Sequence, residues 1–159
     1  MHNPYKKIFP FIVISIILHG ISCSGIFRAS VDEGEIIEFE TLAKGGYGGI
    51  EEPVNLVIKD NKKWDSLWSK VYKTRIPKPE LPEVNFEEEM ILAVFMGYYP
   101  TGGYSVSIEN IIEKEERLIV EKKVVTPGPD DMVTNAITHP FHIVKTKKTD
   151  KEIVFCSKR

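Results

Sequence analysis

The chain has 159 residues, 42% of them hydrophobic and 28% charged, with 23 acidic against 21 basic side chains. That length is the size of one domain, and that balance leaves no basic field of the kind that holds nucleic acid. Its two cysteines, Cys23 and Cys156, are too few for a disulfide framework.

Lys6 and Lys7 precede the apolar run IFPFIVISIILHGIS, which Pro10 and His19 interrupt before Cys23. A short positive region, an apolar stretch and small residues read as a secretory signal over 1–22. A membrane span needs ~20 apolar residues without such breaks. The end of the run, GISC, resembles the bacterial lipobox, with Gly20 where that signal usually carries leucine. In that signal the cysteine receives lipid and becomes the first mature residue. The expectation is therefore an exported protein tethered to the cell membrane or outer membrane through lipid on Cys23. Loss of Lys6 and Lys7 leaves the mature chain mildly acidic, and Cys156 stands alone in EIVFC as a buried thiol. Residues 23–34 are small and polar and read as a tether; 35–159 read as a single domain.

EIIEFETL alternates loosely and predicts a first strand, followed by a glycine-rich loop around Tyr47 and a second strand, VNLVIKD. Trp64, Leu67, Trp68 and Val71 then recur at the spacing of one helix face, so the principal helix is predicted near 61–73, capped by Asp60 or Asn61. The proline-rich TRIPKPELPEV is an extended connector. MILAVFMG is apolar throughout and fits a central strand buried on both faces. YSVSIENI alternates, with Tyr104, Val106 and Ile108 on one face. RLIVEKKVV puts Leu118, Val120 and Val124 on one parity. HIVKTKK and KEIVFCSK, separated by TD, read as a last hairpin. The order β, β, α and then about five β predicts an α+β fold that is mainly antiparallel β, a small barrel or sandwich.

Placed chemistry is sparse. No glycine-rich phosphate loop opens a helix, and no G-x-S-x-G elbow is present. His139 and His142 are three apart, which puts them on opposite faces of a strand, and Asp130 and Asp131 read as a solvated turn. No catalytic residue, metal or cofactor is assigned. Two loops remain. The first is Tyr98, Tyr99, Pro100, Thr101, Gly102, Gly103 and Tyr104, where flat aromatic side chains flank a turn that glycine permits. The second is the long segment 126–142, with His139, Pro140 and Phe141 near its end. If the strands pair in order, both lie at one end of the sheet. These ten residues are the expected contact with a protein partner.

From about Asn55 to Ser157 the chain resembles the PrcB C-terminal domain family, through WDSLW, MILAVFMG, PTGGYSVSI, TPGPDDMV and THPFHIVK in that order. The resemblance implies a non-catalytic, often lipid-anchored envelope protein, with another envelope protein as partner and a protease as the leading candidate. YPTGGY followed by HPF also resembles the loops of chagasin-type peptidase inhibitors, which use an NPTTGY loop and an RPW-like loop at one end of a β-sandwich. Thr101, Gly103 and Tyr104 match the first motif, and Pro140 and Phe141 match part of the second. The middle glycine-rich loop of those inhibitors has no counterpart in order, because GGYGG comes earlier in the chain.

Overall fold

The computed structural model describes residues 34–158; the expected signal, Cys23 and all of the tether but Gly34 lie outside them. The elements run β1 (Glu35–Ile36), β2 (Phe39–Gly45), β3 (Val54–Ile58), α1 (Asn61–Val71), β4 (Glu89–Phe95), β5 (Ser105–Glu113), β6 (Arg117–Val125), β7 (Phe141–Lys147) and β8 (Glu152–Ser157). They form two four-stranded sheets, ordered β1-β5-β6-β8 and β2-β7-β4-β3. The sheets pack face to face as a sandwich, α1 covers the outer face of the second sheet, and no barrel closes. The fold is α+β and mainly antiparallel, as the sequence predicts.

The alternation of side chains along β4 explains its unbroken apolar run. Ile91, Ala93 and Phe95 face α1 and join Trp64, Leu67, Trp68 and Val71 in one core. Met90, Leu92 and Val94 face the other sheet and meet Val106, Ile108, Ile111, Leu118 and Val120 in a second core. A central strand of a three-layer stack has no face left for water.

Helix α1 starts where Asp60, in extended conformation, accepts the backbone N–H of Lys63 at 2.8 Å. That bond holds the Asp60 carboxyl below its ordinary value. The four predicted apolar positions are the four buried ones. The proline connector does more than span a gap. Its carbonyls accept both buried indoles, Trp64 Nε1–H to Pro82 O at 2.9 Å and Trp68 Nε1–H to Pro79 O at 3.0 Å. A buried indole N–H needs such a partner.

Four expectations are corrected. EIIEFETL is two strands, β1 in one sheet and β2 in the other. Cys156 is half-buried, because β8 is the edge strand of its sheet. The last two strands are not a hairpin: β7 belongs to one sheet and β8 to the other, where β8 runs parallel to β6. Both edges of β7 are already taken, by β2 and β4, so β8 has no ladder to join there. Its Ile153 and Phe155 instead pack against the inter-sheet core. Val124 is exposed although Leu118 and Val120 are buried. β8 ends opposite Lys122, so the last three residues of β6 are paired with β5 alone and have no strand on their other side.

Candidate functional site: the loop end of the sandwich

Three segments meet at one end of the molecule: the glycine-rich loop 45–53, the turn 97–104 and the long segment 126–140. Backbone hydrogen bonds tie them together. His139 N–H donates to Gly46 O at 2.6 Å, and Gly48 N–H donates to His139 O at 2.9 Å. Tyr99 and Thr138 exchange both their hydrogen bonds at 2.9 Å, forming a short antiparallel bridge. Gly102 N–H donates to Thr134 O at 2.9 Å, and the Thr138 hydroxyl donates to Thr101 O at 2.8 Å. The two loops singled out in sequence are neighbours, and GGYGG, which came too early in the chain, lies against them in space.

Glycine sets the shape at two of these points. Gly97 has φ +82°, and a Cβ there would meet Glu51 O at 2.7 Å, so the turn leaves β4 along a path closed to other residues. Tyr98 N–H then donates to that same Glu51 oxygen at 3.0 Å. Gly103 has φ +89° and leads into β5 beside Pro127 and Val133.

The ten expected contact residues divide by burial. Tyr98 is 52% exposed, with Pro100 and Gly103 also exposed. Tyr99 and Tyr104 stack on each other at 3.9 Å and lie half-buried against the inter-sheet core, so they brace the end. Thr101 and His139 are half-buried, and the His139 ring meets the Tyr98 ring edge-on at 5.8 Å. Gly102, Pro140 and Phe141 are buried. Phe141 stacks on Phe95 at 5.9 Å inside the helix-side core, so Pro140 and Phe141 seat the strand and offer no contact surface. The outward apolar groups at this end include three that the sequence reading passed over. Tyr47 is 69% exposed, Ile137 52%, and Met132 fully exposed. The repeated Gly-Gly-Tyr, at 45–47 and 102–104, was the available signal for Tyr47; Met132 and Ile137 fall inside the expected contact loop 126–142, but nothing in its pattern marks them as its outward side chains.

The two histidines do part company. His142 is buried between the sheets, where Ile108 N–H donates to Nδ1 at 2.8 Å and Nε2 lies 2.9 Å from Thr41 Oγ1. A backbone N–H can only donate, so Nδ1 is bare and the proton sits on Nε2, facing the threonine oxygen. Burial, with Lys44 nearby and Glu109 opposing, lowers the His142 pKa to about 4. It is a neutral cross-link between sheets. Asp131 accepts Gly128 N–H at 2.7 Å and closes its own turn. Among the described residues no group of three or more His, Cys, Asp or Glu side chains is placed to hold a metal ion, and no helix is long and apolar enough to cross a membrane.

Comparison with curated proteins and with solved structures gave no match. Residues 90–147, from the second residue of β4 to the last of β7, match the family described as PrcB C-terminal, and over that segment, a little over a third of the chain, the family resemblance read from the sequence is borne out.

Proposed function

We infer that this chain is a non-catalytic, lipid-anchored envelope protein whose loop end grips another protein, as an accessory of a protease complex. The observation that carries the reading is the joining of three segments by backbone hydrogen bonds into one end bearing Tyr47, Tyr98, Met132 and Ile137. Exposed aromatics on a rigid frame give contact area at little entropic cost, which is how binding loops are built. The family match supports a protease-related role. The lipobox-like GISC supports the anchor.

A tagged chain captured from detergent-solubilised envelopes tests the contact, beside a Tyr47→Ser/Tyr98→Ser double variant. Recovery of a protease subunit by the native chain and its loss from the folded variant is the expected result. Equal recovery by both places the contact elsewhere and ends this assignment. For the anchor, Cys23→Ala is expected to move the protein from the membrane to the soluble fraction, and unchanged membrane retention refutes it.

One observation favours a second reading, peptidase inhibition. The glycine-rich loop joins the other two at this end through Gly46 and Gly48 against His139, supplying the third loop that the chagasin-type resemblance lacks in sequence order, with residues 138–139 as the middle of the three. Inhibition of a papain-type thiol protease by the isolated protein, lost in the same double variant, would move the assignment from accessory to inhibitor.

A further inference from the structure

The second sheet ends on β3, and its two edges are built differently. At the far edge, β2 carries a bulge between Thr41 and Ala43 and the charged residues Glu40 and Lys44. Such features discourage a further strand from adding. β3 has none of them. It reads VNLVI, pairs in unbroken register with β4, and is the last strand in the sheet. Among the described residues its outward backbone groups have no backbone partner.

Beside that edge lies a groove of about 860 Å³ between β3 and α1. Val54 and Leu56 from β3 and Leu67 from α1 give it an apolar floor. Lys62, Lys63 and Lys70 stand along the helix side. Lys63 pairs with Asp60 at 3.4 Å, while Lys62 and Lys70 have no acidic partner among the described residues. The edge thus offers a hydrogen-bonding ladder, an apolar floor and two uncommitted positive charges side by side.

We propose that β3 and α1 form a docking site for an extended, acidic segment of a partner protein, which adds to the sheet as a fifth strand. Main-chain hydrogen bonds to β3 supply affinity, and alternate side chains supply selectivity. On the helix side, an apolar residue sits over Val54, Leu56 and Leu67, and flanking carboxylates reach Lys62 and Lys70. A second copy of this chain is the poorer occupant. Two β3 strands paired antiparallel, about a two-fold axis perpendicular to the sheet, place both helices on one face and bring lysines against lysines. This site lies along the sheet edge and does not depend on the loop-end contact.

The test uses the intact chain and two blocked peptides, Glu-Thr-Val-Thr-Glu-Thr and Lys-Thr-Val-Thr-Lys-Thr, with amide exchange over 54–58 followed by NMR. The acidic peptide is expected to slow exchange of β3 amides and to bind at least about tenfold more tightly than the lysine peptide at low salt, where exposed ion pairs are least screened. The surface variant Lys62→Glu/Lys70→Glu is expected to reverse that preference. Equal binding of both peptides, no protection at 54–58, or perturbation confined to 97–104 overturns the proposal. Protection that appears without peptide and grows with protein concentration also overturns it and assigns the edge to a second copy.

Discussion

Burying an imidazole between two sheets is unfavourable unless both nitrogens are satisfied. His142 meets that condition only when neutral, because protonation of Nδ1 would oppose the Ile108 N–H that it accepts. Its folded pKa of about 4 lies below the ordinary 6.5, so the unfolded chain takes up the proton first as pH falls. The stabilisation is fully present above pH 6.5, declines between 6.5 and 4, and is spent below 4. Urea denaturation across that window is expected to show a loss on the order of 2–3 kcal/mol, with His142→Gln flattening the profile. A profile already flat in the native chain would mean that the ring is solvated. Gly97 makes a second point at this scale. Gly97→Ala forces a side chain onto the Glu51 oxygen at positive φ and is expected to destabilise by about 1–3 kcal/mol in the same assay. Neither effect was legible in sequence. The spacing of His139 and His142 separates them, but it does not say that one becomes a cross-link, because that depends on β5 lying opposite β7.

At the scale of the element, the helix and β4 were readable because their apolar residues follow one pattern throughout, whereas the alternation in β5 holds only to Ile108, where a bulge moves the buried parity to Ile111. Trp64, Leu67, Trp68 and Val71 form one stripe, and MILAVFMG has no polar parity at all. The connector 74–84 was readable as extended, but its task was not. Prolines lack a donor, and here their free carbonyls receive the two indoles that the helix buries. Trp68→Phe keeps a ring in place but leaves Pro79 O without its partner, and is expected to lower stability by about 1–2 kcal/mol. An unchanged denaturation midpoint would show that the connector is not held through that bond. The false hairpin at the C-terminus has the opposite origin. A short polar turn between two β-rich runs is the local signal for a hairpin, and only the prior occupation of both edges of β7 overrides it.

For the whole molecule, what was legible is the class and the clustering of two loops; what was not is which side chains face outward. The aromatic turn divides into a stacked, bracing pair, Tyr99 and Tyr104, and an exposed Tyr98. Alanine at Tyr104 is therefore expected to lower stability as well as any binding, whereas Tyr98→Ala is expected to leave the melting temperature within a degree or two and act on binding alone. A Tyr98→Ala protein that melts well below the native one would place that ring in the fold and remove it from the contact surface.

The central place of β7 also governs how the chain comes together. This strand pairs Thr146 with Phe39 near the start of the domain and Phe95 with Phe141 near its middle. Until it arrives, β2 has no neighbour and the β4–β3 ladder has an open side. Contacts so distant along the chain must wait for large loops to close, which slows folding. Under the export proposed above, that order would keep the leading segments from completing the sandwich until Phe141 to Lys147 is also across the membrane.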